Sequence, residues 1–97
     1  IALMPPSAEW ANSQVSGKSA TFPFVVKTGT APLYQVDFSV DDGAWRVAYP
    51  EDGVADSSRE QYQVKVDNLP RGQHQFRIRM VDSVGNVSAS AKTFNIE

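Results

Sequence analysis

Apolar residues recur at every second position over most of this chain, and that beat predicts strands. Residues 19–27 set Phe22, Phe24 and Val26 on one face and Thr21, Val25 and Lys27 on the other, with Pro23 among the outer positions. Proline cannot donate to a ladder, so an edge or a bulge is expected at Pro23. Residues 33–41 place Tyr34, Val36, Phe38 and Val40 inward and Gln35, Asp37, Ser39 and Asp41 outward. Asp41-Asp42-Gly43 then reads as a hairpin turn, with Gly43 expected at positive φ. Residues 44–49 continue as a short strand holding Trp45, Val47 and Tyr49. Residues 60–67 alternate Tyr62, Val64 and Val66 with Gln61, Gln63 and Lys65. Residues 73–81 alternate His74, Phe76, Ile78 and Met80 with Gln73, Gln75, Arg77 and Arg79, and residues 87–96 close with Phe94 and Ile96.

Between these runs lie turn signals. Pro50 through Ser58 is the longest polar loop, Leu69-Pro70-Arg71-Gly72 is a corner, and Asp82 is expected to cap the turn that ends at Asn86. Ser57-Ser58-Arg59-Glu60 has capping-box spacing, but the alternation after it leaves room for at most one helical turn. A first strand is expected within residues 8–15, where the pattern is poor. The chain thus divides into an N-terminal linker with that strand, 1–18, and a β-sandwich domain, 19–97. Six or seven strands with turn signals about every ten residues predict an all-β, antiparallel Greek-key β-sandwich.

Composition narrows the function. The 97 residues suffice for one domain, and twelve valines against three leucines favour pleated surfaces. A hydrophobic share of 41 % with 21 % charged residues is that of a folded chain rather than a disordered one. The net charge is −2, and the densest basic stretch is Arg71, Arg77 and Arg79. Neither nucleic acid nor an anionic membrane surface is therefore an expected partner. No apolar run approaches the roughly 18 residues of a membrane span. With no cysteine there is no thiolate-bound zinc, iron–sulfur cluster or thiol nucleophile. The opening Ile1-Ala2-Leu3-Met4-Pro5-Pro6 has no initiating methionine. We therefore expect an excised or mature segment, with any export signal outside it.

Two blocks carry a resemblance. Tyr34-x-Val36-x-Phe38-Ser39-Val40-Asp41-Asp42-Gly43-x-Trp45 resembles the third strand and hairpin of fibronectin type III-like and bacterial immunoglobulin-like β-sandwich domains of exported proteins. Leu69-Pro70-x-Gly72-x-His74-x-Phe76-x-Ile78-x-Met80-x-Asp82-x-x-Gly85-Asn86 looks like their corner, sixth strand and following turn. The loop Pro50-x-Asp52-Gly53-x-x-Asp56-Ser57 fits between them, so the likeness covers roughly residues 19–95. His74 stands where such domains carry a corner tyrosine, and no antibody-type disulfide or strand tryptophan is present. The integrin-type Arg-Gly-Asp is absent too, since Arg71-Gly72 is followed by Gln73. The resemblance implies a non-catalytic accessory module, a spacer or docking domain of a larger bacterial protein. Its partners would be other domains of the parent chain, and its location extracellular, periplasmic or on the cell surface.

Few residues suggest chemistry. His74, the single histidine, would need a nucleophile and an orienting carboxylate to act as a base. The simpler expectation is a bond to backbone near Leu69. Asp37, Asp41, Asp42, Glu51, Asp52, Asp56 and Asp82 supply calcium-type oxygens, yet they lie in separate turns without an Asp-x-Asp-x-Asp-Gly run. A weak site between Asp41/Asp42 and the 51–56 loop is the metal alternative; no cofactor or metal is expected. A glycosidase would hold two carboxylates roughly 5–10 Å apart across a cleft, and no such pair stands out. Trp45, Tyr49 and Trp10 are the candidate ligand contacts. Together they would make a carbohydrate-binding surface for a polysaccharide, the alternative function. Otherwise Trp45 would close one end of the core and Trp10 would anchor the first strand or the neighbouring domain.

Overall fold

The computed structural model describes residues 5–28, 31–50 and 59–97, and every regular element among them is a strand. The first sheet holds β1 (Ser7–Trp10), β2 (Gln14–Ser16), β3 (Ser19–Lys27) and β6 (Arg59–Val66). The second holds β4 (Leu33–Val40), β5 (Arg46–Ala48), β7 (Gly72–Asp82) and β8 (Val87–Ile96), in the order β5-β4-β7-β8. All pairings are antiparallel, and β3 meets β6 across two intervening strands that belong to the other sheet. The expected Greek-key immunoglobulin-like β-sandwich is the observed architecture, with eight strands among the described residues in place of six or seven.

The extra strand comes from a break in the edge. Trp10 pairs with Phe24 and Gln14 with Thr21, so residues 11–13 face only Phe22 and Pro23. Three residues opposite two make a bulge, and it divides what would be one strand into β1 and β2. Pro23 occupies the interior strand β3, and its carbonyl accepts from Ala11 N–H at 3.0 Å. In extended chain a residue's nitrogen faces the same side as its own carbonyl, so the missing N–H falls at this bulge. The proline thus sits at a bulge and not on an edge.

The core forms between the inner faces. Phe22, Phe24, Val26, Tyr62 and Val64 pack down from the first sheet onto Val36, Phe76, Ile78, Met80, Phe94 and Ile96 of the second. Phe22 stacks on Phe76 at a centroid separation of 4.2 Å, and Phe24 stacks on its cross-strand partner Tyr62 at 5.2 Å. Aromatic pairs at these distances add to area burial. Alternation in β3, β6 and β7 puts the expected side chains inside, down to His74 at the end of β7.

Strand β4 departs from its expected phase. The alternation sets Tyr34 inward, but it is 70 % exposed, and Leu33 is buried instead. Leu33 pairs with Asp82 and Gln35 with Val81, which leaves Tyr34 as an unpaired bulge residue. One extra residue reverses the side-chain phase upstream of it. Asp37 and Ser39 do face outward, yet both are buried, because neighbouring side chains cover that face.

The hairpin turn also differs. Asp41 and Asp42 take positive φ (51° and 61°), and Gly43 N–H bonds the Val40 carbonyl at 2.9 Å. Two left-handed central residues with this bond are the signature of a type I′ turn. Gly43 is not at positive φ; a Cβ there would lie 3.0 Å from the Val40 oxygen. Glu60, placed above in a possible helical turn, lies in β6, whereas Ser57, Ser58 and the acidic loop positions Glu51, Asp52 and Asp56 lie outside the described residues.

Candidate functional site

The outer face of the second sheet is where polar side chains and an aromatic ring converge. Strand register dictates who meets there: Asp37 of β4 lies opposite Arg79 of β7, and Ser39 opposite Arg77. On the far side of β7, Arg77 and Arg79 face Ala91 and Ala89 of β8. The type I′ turn reverses the chain after Val40, and Trp45 follows it onto this face. There the Arg79 guanidinium lies 4.4 Å and the Arg77 guanidinium 5.4 Å from the Trp45 ring centre. Stacking over the negative ring face suits both cations.

Each arginine is also held by a carboxylate. Arg79 donates to Asp37 Oδ2 at 3.1 Å, and Gln35 Nε2 donates to Asp37 Oδ1 at 2.8 Å. Asp37 is 5 % exposed, so both its oxygens are satisfied beneath the surface. Arg77 pairs with Asp42 at 2.8 Å, while its Nε is buried without an acceptor among the described residues. Trp45 is 37 % exposed and Val47, next on this face of β5, is 43 % exposed. The outcome is a half-open indole over two pre-paired cations, bordered by Val47 and the exposed alanines of β8.

Trp45 therefore does not close an end of the core. Trp10 is elsewhere: its Nε1–H donates to Ser90 Oγ at 2.9 Å, and its ring packs against Phe24 and Phe76. It bridges β1 of one sheet to β8 of the other. Tyr49, just beyond β5, is 73 % exposed. Of the three candidate ligand contacts, Trp10 thus lies apart from Trp45 in the seam between the sheets. The alternation sets Arg77 and Arg79 side by side on one outward face, where cross-strand pairing with carboxylates is the expectation beside a solvated face. Their shared partner Trp45 comes from beyond a non-adjacent strand and leaves no local signal.

The remaining candidates are structural in their contacts. His74 is buried, with Nδ1 against Asp41 Oδ2 and Nε2 against the Pro70 carbonyl at 2.6 Å. The bond to Asp41, then that to Pro70, holds its pKa above the ordinary 6.5, while Asp41 is held below 3.8 chiefly by its bond to His74. Asp82 accepts from Val84 N, Asn86 N and Asn86 Nδ2 at 2.8–3.1 Å, capping its turn. Burial pushes its carboxyl up, but these bonds together outweigh that and leave it below 3.8. Among the described residues no three His, Cys, Asp or Glu side chains come together as a metal site.

No known family profile matches the sequence, and no curated protein matches it. Solved structures do. The PKD1 domain of Vibrio anguillarum Epp superposes with a TM-score of 0.72 at 12 % identity, covering 99 % of this chain and 98 % of that one. The PKD1 domain from the Vibrio cholerae metalloprotease PrtV gives 0.71 at 11 % identity, covering 97 % and 99 %. The sulfane dehydrogenase SoxCD from Paracoccus pantotrophus gives 0.59 at 19 % identity over 73 % of this chain and 18 % of that one. At these identities the shared property is the fold: an immunoglobulin-like sandwich of the kind PKD domains have.

Proposed function

We propose that this chain is a non-catalytic accessory module of a larger exported bacterial protein, extracellular in location, and that it docks another domain of that protein through the outer face of its second sheet. The observation that carries this reading is Trp45 lying over Arg77 and Arg79, each already paired with a carboxylate. Tryptophan and arginine are the residues that most often anchor protein interfaces. Because the guanidinium groups are pre-positioned, little side-chain entropy is left to lose on docking. The groups that could perform chemistry are engaged elsewhere: His74 by Asp41 and Pro70, Asp37 by Arg79 and Gln35, Asp82 by its own turn. The two PKD neighbours are themselves domains of larger bacterial proteins, one a metalloprotease, which supports the accessory role.

Hydroxyl-radical footprinting tests the docking. Trp45 should oxidise more slowly in the parent protein than in the isolated module, with Trp10 as internal reference. Equal oxidation of Trp45 in the two would defeat it. A carbohydrate-binding reading rests on the outward face of Trp45 and the exposed Tyr49 beyond it. Protection of Trp45 in the isolated module by one member of a polysaccharide panel would favour that reading instead.

A further inference from the structure

Both ring nitrogens of His74 face oxygen acceptors: a carboxylate at Nδ1 and a backbone carbonyl at Nε2. Only the imidazolium has an N–H to offer each; either neutral tautomer sets a lone pair against an oxygen. The two acceptors belong to different parts of the fold. Asp41 is in the β4–β5 turn, and Pro70 is in the corner where the chain leaves β6 for β7. The hairpin that holds Asp41 and the end of β6 that runs into the corner also form the lips of an open cleft of about 450 Å³ at this end of the sandwich. Ser39, Gly43 and Arg46 line it on the hairpin side, and Lys65, Asp67 and Asn68 on the other.

We propose that His74 is a proton-operated tie between the hairpin turn and the corner, drawing the lips of this cleft together when the ring is charged and releasing the corner when it is neutral. The corner is the side that gives way. A charge-assisted bond to a carboxylate is about twice as strong as one to a neutral carbonyl, so the last proton stays at Nδ1. Asp41 is further fixed by the Gln75 N–H, which donates to Oδ1 at 2.8 Å. The proton that departs is therefore the one on Nε2, to water, leaving a lone pair against the Pro70 oxygen. The raised pKa of His74 places this event on the alkaline side of 6.5.

Around the ring, Asp41 is the charged group that bonds it among the described residues. From β8 it meets the face of Phe94, centroids 5.5 Å apart, and the corner brings the Pro70 carbonyl with exposed Arg71 next in sequence. Asp42, the neighbour of Asp41, is committed to Arg77 on the opposite face of the sheet.

The test is an NMR titration of the folded chain from pH 5 to 9, following His74 ring nitrogens and backbone amides. We expect a midpoint above 6.5, a neutral form protonated at Nδ1, and amide shifts at Asn68, Leu69, Arg71 and Gly72 with the same midpoint, while the Gln75 amide stays nearly still. Asp41→Asn, in which asparagine still tolerates the left-handed backbone, should lower the midpoint. His74→Gln should flatten the corner's response. A midpoint at or below 6.5, a neutral form protonated at Nε2, or corner amides that ignore the titration would each overturn the proposal. This readout needs no ligand, so it is independent of whether the Trp45 face docks anything.

Discussion

The chain's two tryptophans sit in regions built on opposite plans. Trp10 lies in the seam where β1 approaches β8, between two phenylalanine rings, its one polar atom bonded to Ser90 across the sheets. Trp45 lies outside the sandwich, with one face over arginines and nearly two fifths of its surface in water. In sequence both look like aromatic candidates for a ligand. What separates them is what stands opposite, and that is decided by strand order. The seam ring is held from two sheets and is part of the fold. The outer ring is held from one sheet and leaves the other side available.

This contrast can be broken in several ways. Phe76 touches Phe22, Phe24, Phe38 and Trp10, so Phe76→Ala should cost about 3–5 kcal/mol in urea unfolding through the cavity it leaves. Trp10→Ala, in a half-buried seam, should cost about 2–3 kcal/mol. Asp82→Ala strands the amides of Val84 and Asn86 and should cost about 1–3 kcal/mol, read the same way. Trp45→Ala comes last, at under about 1 kcal/mol, as befits a half-exposed ring outside the core. If removing the outer ring destabilised the chain as much as removing the seam ring, the division would be wrong.

Proton linkage gives a further handle on the end of the sandwich. His74 has a folded pKa above its unfolded value, so its contribution to stability is full below 6.5 and fades as pH rises through the folded pKa. Asp41 is the reverse: its contribution is present above 3.8 and fades as pH falls through its lowered folded pKa. Melting temperature measured against pH should therefore fall on both sides of a plateau between those values, and His74→Gln should flatten the alkaline limb. An alkaline limb identical in that variant would contradict the assignment.

How much of this was legible in the sequence depended on unbroken ladders. The alternation in β3, β6 and β7 named Phe22, Phe24, Tyr62, Phe76, Ile78 and Met80 as interior, because nothing interrupts those strands. Where a bulge intervenes, phase is lost: the alternation sets Tyr34 inward, and the first strand loses its pattern at residues 11–13. A one-residue slip is invisible without the partner strand. Burial of Asp37 was hidden for a related reason. Asp37 is met by Arg79, which reaches it from β7 and lies in turn against Trp45 from beyond the hairpin turn, and no local rule links positions 37, 45 and 79. His74 was readable as a corner residue bonding backbone near Leu69, though its bond to Asp41 was not.

The claim that one indole is framework and the other is working surface is tested most directly by acrylamide quenching of two single-tryptophan proteins, Trp10→Phe and Trp45→Phe. The protein that keeps Trp45 should be quenched several times more steeply than the one that keeps Trp10. Equal slopes, or a steeper slope for Trp10, would contradict it.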